Sequence, residues 1–400
     1  MTPAEIRAAA EEDLPSVIEL TQQLVRIPTR GGIDPYDDAI DTVASWARAH
    51  DLETRVLRGA DDEPLAVVCD VAGGRPGPRY VLDACLDTAP FGDITAWTHD
   101  PTSGLIEDGW LHGRGSADSK VAVAIFLHIA ARLRAQAADL AGTLTLLFDV
   151  DEHTGNFGGA KRYFAGPDAP TNIAGVMIGY PGPDRIVIGG RGFLRADITV
   201  RGIAGHTGSE RTGSVNAIEK AGQFVAALAS HQRPDEVDEL LALPPKVSVT
   251  KIGGGESYSI IPDHCTLGVD IRLTTQFTRV HGEKLLVDLA ALLDGSWPAT
   301  PPTTLTFHES WPAYALDSSA PVKNALQAAI EAHLGHVLPA QAAGPSNIGN
   351  YLAGLGLEST AGFGVGYNGL HGTNERIEIE TISLTQAAYH LAVSCLGRLR

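Results

Sequence analysis

Two runs with almost no polar side chain stand out in the first half of the chain, Tyr80–Leu86 (YVLDACL) and Leu144–Val150 (LTLLFDV). Runs of this length and character predict strands buried on both faces of a parallel sheet. Around them the spacing becomes helical. Leu14, Val17, Ile18, Leu24 and Val25 recur at helical intervals within residues 3–27, and Asp38–His50 is amphipathic. Val121–Leu133 and Gly158–Phe164 continue the helical pattern. Glu53–Leu57, Leu65–Val71 and Ala174–Gly179 read as further strands, and GGRPGP at 73–78 as a turn. Strands alternating with helices predict an α/β domain with a mostly parallel sheet.

After Gly189 the pattern shifts to strict alternation. Phe193–Val200 and Cys265–Leu273 alternate apolar and polar residues, and Lys246–Ile252 and Thr303–Phe307 add strands. Ser214–Ala229 and Val280–Leu293 are helical between them. This is the signature of a smaller α+β two-layer sandwich with one sheet face open. Phe193–Val200 has the pattern of an edge strand that could pair across a two-fold axis. Helical spacing returns at Val322–Leu334 and from Thr381 to the end. The expected organisation is an α/β domain over 1–189 and 309–400, interrupted by an inserted domain over 190–308.

Composition narrows the partners. The 400 residues carry a formal charge of −18, which argues against nucleic acid or an anionic membrane surface. The first 29 residues hold five acidic and two basic side chains, without the basic start and unbroken apolar core of a signal peptide. No apolar run is long enough to span a bilayer. The cysteines (Cys69, Cys85, Cys265, Cys395) are scattered, so reduced thiols and a cytoplasmic location are expected.

Residues with ligand or acid–base chemistry gather at the predicted strand ends, where open α/β sheets place their sites. Cys85 and Asp87 are two apart and point to one side. Asp118 follows HGRGSA at a helix start, where an Asp also serves as an ordinary N-cap. Asp149, Asp151, Glu152 and His153 end the next strand, where their burial needs an offset such as a metal. The ordinary alternative is a solvated loop. His371 lies in GLHGTNE, a loop where a surface histidine is equally at home. HExxH, the Walker loop and GxSxG are absent, which removes the commonest zincin, nucleotide-binding and serine-hydrolase readings.

The order of the pieces is more specific than any one of them. CLD at 85–87, WTHDP at 97–101, GRGSADSK at 113–120 and DEH at 151–153 come first. YP at 180–181, GIAGHTG at 202–208, SVNAI at 214–218, IIPDHCTLGVDIR at 260–272 and LHGTNE at 370–375 follow. This sequence of motifs resembles the M20 metallopeptidase family of aminoacylases, acetylornithine deacetylases, succinyl-diaminopimelate desuccinylases and glutamate carboxypeptidases. The resemblance implies a catalytic α/β domain, an inserted lid and dimerisation domain, and a divalent metal, zinc in the family. It places the bridging metal ligand at Asp118, the general base at Glu152, the late metal ligand at His371 and the supporting carboxylate at Asp87. It further implies an oxyanion-stabilising lid histidine at His206, supplied by a partner subunit, and a substrate-carboxylate arginine at Arg272. Asn216, in the SVNAI match, is a candidate substrate contact.

Three family ligands are replaced. Cys85 stands for the first His, His153 for the second Glu, and Tyr180 for the acidic residue before Pro. Asp118, His153 and His371 still form a two-His, one-carboxylate set with an open position. The other half keeps only Asp118 with Cys85 and Tyr180. Asp87 disfavours a Cys85 thiolate unless a cation is present. Cys85 therefore reads either as a ligand or as a small buried apolar residue, and Tyr180 as a hydroxyl donor to substrate. One ion is expected rather than two. The expected activity is hydrolysis of a small N-acyl amino acid or dipeptide-like amide with a free carboxylate, in a cytoplasmic homodimer formed through the lid. Two alternatives stay open at the level of sequence. One is a binding protein that has lost catalysis. The other is an enzyme using this cleft for acyl transfer, amide formation or isomerisation.

Overall fold

The two apolar runs lie side by side. Arg75–Cys85 and Ala141–Asp149 pair in parallel, with Leu82 opposite Leu146 and Cys85 opposite Asp149, so both acidic strand ends finish together. In this computed structural model, which describes residues 1–209, 213–230 and 237–397, the chain divides into two units. The first holds Met1–Ile188, Leu316–Gln341 and Leu355–Arg400, and the second Gly189–Ala315 and Ala342–Gly354.

The first unit is built on a six-stranded sheet ordered Thr54–Arg58, Pro64–Ala72, Ala141–Asp149, Arg75–Cys85, Ile173–Ile178, Ser359–Ala361. The first three strands pair antiparallel and the remaining three pairings are parallel. The helix Val121–Arg134 is apolar almost all round (VAVAIFLHIAARLR). Such a helix has to be covered on every side. It lies between the sheet and the helices Pro3–Arg26 and Ile382–Leu396, and Val123, Ile125, Phe126, Leu127 and Ile129 are buried. Each large apolar side chain buried in this way contributes roughly 1.5–3 kcal/mol.

The GGRPGP segment behaves differently from the expected turn. The strand already begins at Arg75, which pairs with Ala141, and the register shifts before Arg79. The bulge accommodates Pro76 and Pro78, which cannot donate to a regular ladder.

In the second unit the four-stranded antiparallel sheet is ordered Lys246–Gly254, His264–Leu273, Gly192–Arg201, Thr304–Phe307. Helices Ala217–Ser230 and Arg279–Ser296 pack on the face made by Leu194, Ala196, Ile198, Val200, Leu267, Val269 and Ile271. The alternation seen in sequence is thus that of a half-covered sheet. The edge-strand reading of Phe193–Val200 is corrected: Thr199–Ala196 is covered by Thr304–Phe307, and the other side pairs with His264–Leu273. Period-two alternation reports an exposed face, whereas an edge is decided by pairing with distant strands. Among the described residues no helix is long and apolar enough to cross a membrane.

Candidate metal centre

The Gly-rich turn before Asp118 is dictated by close packing. Gly113 has φ +145° and Gly115 φ +79°; a Cβ on Gly113 would meet Val25 at 2.3 Å, and one on Gly115 would meet Thr88 at 2.4 Å. Only glycine accepts both the conformation and the approach. Arg114 between them is 2% exposed and ion-paired with Glu375, itself 1% exposed, while Glu375 Oε1 accepts from the Ala117 N–H at 3.0 Å. This pair ties the turn carrying Asp118 to the loop carrying His371. Removing either partner would leave a buried charge uncompensated, at about 3–5 kcal/mol. Lys120 is also buried and donates to the carbonyls of Leu24 and Ile27 at 2.9 and 2.8 Å. Burial pushes its ammonium down to about 7.

The N-cap reading of Asp118 does not hold. Its backbone is non-helical (φ −127°, ψ 90°), and the helix begins at Val121 without a side-chain cap. Its carboxylate faces other site groups. Oδ2 lies 3.0 Å from His371 Nε2 and 3.6 Å from His153 Nε2, and Oδ1 accepts from Ser119 Oγ at 2.8 Å. Burial alone would raise its pKa. The nearby His153 ring and the hydrogen-bonded His371 ring overcome that and hold the carboxyl well below the usual range. His371 and Asn374 occupy the left-handed region, at φ +57° and +60°, a conformation that His and Asn tolerate better than most residues.

His153 is the centre of the cluster. Its side chain is 4% exposed, and neither ring nitrogen has a hydrogen-bond partner. Nδ1 stands 3.2 Å from Glu152 Oε2 and 3.6 Å from Asp87 Oδ2. Asp87 in turn accepts from the backbone N–H groups of Glu152 (3.2 Å) and His153 (2.9 Å), fixing the loop after the strand. Burial opposes a charged His153 ring, but Asp118, Asp87 and Cys85 outweigh it and raise its pKa. A buried ring with two unpaired nitrogens among carboxylates is a site for a cation. A metal at Nε2 would replace the proton that the carboxylates otherwise hold there, with Asp87 orienting the ring from Nδ1.

Two overlapping groups can hold an ion here: Asp118, His153 and His371, and Cys85, Glu152 and His153, each with ligand atoms within 4.8 Å of one another. The first set fits a divalent metal better. Cys85 Sγ lies 3.7 Å from both Asp118 Oδ1 and Ser119 Oγ. Burial and then Asp118 push its thiol well above the ordinary value, so the ligand-competent thiolate is disfavoured. The Tyr180 hydroxyl donates to Glu152 Oε1 at 2.8 Å, and burial followed by Glu152 keeps it a phenol. Burial pushes the Glu152 carboxyl up to about 7, against the pull of His153 and with help from Asp118 and Asp87.

Asp87, Asp118, Glu152, His153, Tyr180, Cys85 and His371 are therefore brought together in the first unit. The remaining candidates lie in the second. Arg272 Nε pairs with Asp270 at 2.8 Å, and its guanidinium donates to Ser346 Oγ at 3.3 Å. The Asn216 carboxamide oxygen accepts from the Ile218 N–H at 2.9 Å and caps the helix Ala217–Ser230. His206 is exposed, and its Nδ1 accepts from the Gly208 N–H at 3.0 Å. Sequence reasoning did not single out Glu375, Lys120 or Asp83. Glu375 closes the LHGTNE motif and was detectable there. A charged residue that ends up fully buried, as Lys120 does, gives no local signal. Asp83, within an apolar run, and Asp149 are both buried with unpartnered carboxyl oxygens, and burial pushes both up.

The sequence profile of peptidase family M20/M25/M40 matches residues 81–394. A succinyl-diaminopimelate desuccinylase from Rhodospirillum centenum is 29% identical over 332 residues, covering 80% of this chain and 82% of the relative. A tripeptidase from Staphylococcus aureus superposes with a TM-score of 0.77 at 19% identity, over 96% of this chain and 99% of that one. A dinuclear metal-binding M20 peptidase from Bacillus subtilis gives 0.72 at 16% identity, over 97% and 100%.

Proposed function

We propose, for a chain that belongs to peptidase family M20/M25/M40 and is a metal-dependent hydrolase of C–N bonds, that it cleaves a small N-acyl amino acid or dipeptide-like amide bearing a free carboxylate. The observation that carries this reading is the His153 ring. Its Nε2 is turned to Asp118, its Nδ1 to Asp87 and Glu152, and neither nitrogen has a hydrogen-bond partner. Asp118, His153 and His371 would hold one divalent ion, proposed to be zinc. Such an ion supplies Lewis acidity toward the amide carbonyl and toward a hydrolytic water.

The chain's own groups do the proton work. Glu152 takes a proton from the attacking water as its oxygen bonds to the carbonyl carbon. It then delivers that proton to the amide nitrogen as the C–N bond breaks, releasing acid and amine. Tyr180 holds one Glu152 oxygen, leaving the other for the water. Asp87 holds the Glu152–His153 backbone and steadies the His153 ring. His206 is assigned to the oxyanion and Arg272 to the substrate carboxylate, each from its position in the family motifs, and Asn216 to a substrate contact on the same ground. A cytoplasmic homodimer formed through the inserted domain completes the proposal.

Arg272 gives the test of substrate class. With a panel of N-acyl amino acids and their carboxamides, the wild type should prefer the free acids. Arg272→Met should raise KM for the acids about 10- to 100-fold, the worth of one charge-assisted contact. It should leave the carboxamides nearly unchanged. Equal KM values for the acids in both proteins would remove Arg272 from carboxylate binding.

A further inference from the structure

A second set of ligand-type side chains lies in the first unit, on residues with no part in the hydrolytic chemistry. His99, on the loop after Trp97, meets Glu107, beside the turn of the short hairpin Ile106–Glu107 and Trp110–His112, and His112 at the far end of its second strand. Ligand atoms from all three lie within 4.8 Å of one another. His99 Nε2 is 3.3 Å from Glu107 Oε2, and the two imidazoles meet edge to face with centroids 4.7 Å apart. Ligands around a tetrahedral zinc with bonds near 2.1 Å sit about 3.4 Å apart. The His99–Glu107 pair already has that separation, and the half-exposed His99 and exposed Glu107 have room to adjust toward His112.

The surroundings suit a cation that enters from solvent. The three side chains line a cavity of about 370 Å³ together with Asp108, Asn374 and Arg376. Its fixed charges are two carboxylates and one guanidinium, a net −1. Arg376 is held over the Trp110 ring, 4.5 Å from its centroid.

We propose that His99, Glu107 and His112 form a second divalent transition-metal site, separate from the Asp118 centre. Two imidazoles and one carboxylate leave an open position for water, a donor set that suits zinc, nickel or iron. The site also has a structural consequence. The Thr98 N–H donates to Asn374 Oδ1 at 2.7 Å, so an ion on His99 anchors a loop bonded to the turn that carries His371. The Arg376 charge weakens the site, and a chelator should strip it before the Asp118 centre.

The test is a difference in zinc content on the full chain. Wild type and His99→Ala/Glu107→Gln are dialysed against excess free zinc, washed, and counted by mass spectrometry. The same comparison is made in an Asp118→Asn background. The double substitution should remove one equivalent of zinc in both backgrounds. It should also abolish the zinc-dependent slowing of amide exchange expected for residues 93–100. Equal zinc content with and without the double substitution, in either background, overturns the proposal. If the double variant misfolds, Glu107→Gln alone, at an exposed position, gives the same two readings. Because the Asp118→Asn background removes the hydrolytic centre, failure here is distinguishable from failure of the proposed hydrolysis.

Discussion

Glu152→Gln should lower kcat by about 10²- to 10⁴-fold, the usual contribution of a positioned general base, while leaving metal content and thermal midpoint close to wild type. The substitution is nearly isosteric. The Gln carbonyl oxygen can still accept from the Tyr180 hydroxyl now bonded to Glu152 Oε1 at 2.8 Å. The Gln amide would face His153 Nδ1, which keeps the Asp87 carboxylate 3.6 Å away. What disappears is proton affinity. A carboxyl that burial holds near 7 can take and return a proton at neutral pH, and an amide cannot. The checks are steady-state kinetics on N-acyl amino acids, zinc analysis and a thermal melt of the same preparation. Near-normal turnover with intact metal would mean that another group serves as base.

Asp118→Asn should remove the bound ion and, with it, at least about 10³-fold of activity. Asp118 is the only carboxylate in the proposed ligand set, and its charge is already favoured by His153 and His371 despite burial. An amide oxygen carries no net charge and neutralises nothing. Cys85→Ser is the informative companion. The Cys85 thiol is held protonated by burial and by Asp118, so the serine variant should keep the same zinc content. Parallel zinc analysis of the two variants separates the readings: loss of metal in Cys85→Ser would make the cysteine a ligand.

The buried and half-covered strands were legible because the physics is local. An unbroken apolar run such as Leu144–Val150 has to be buried on both faces, and strict alternation such as Phe193–Val200 has to be half-buried. Pairing was not legible, since it depends on residues distant in sequence, as Arg75 opposite Ala141 and Thr199 opposite Thr304. Hence Phe193–Val200 lies inside its sheet, and the Arg75–Pro78 segment is bulged strand instead of turn. In the candidate metal centre, Asp118, Glu152, His153 and His371 stood out because the ordered motifs carry them. The partnership of Tyr180 with Glu152 could not be read, because a hydroxyl's partner is set by packing. Nor could the convergence of His99, Glu107 and His112, which follows no known ligand spacing and depends on how the 92–105 loop folds back on its hairpin.

Hydrolysis as proposed rests on one ion shared by Asp118, His153 and His371. Crystals of the zinc-loaded protein, measured on both sides of the zinc absorption edge, test this most directly. An anomalous peak within bonding distance of Asp118 Oδ2, His153 Nε2 and His371 Nε2, with no second peak against Cys85 and Tyr180, is the predicted result. No peak at these three side chains, or a peak seated on Cys85 and Glu152 instead, would contradict it.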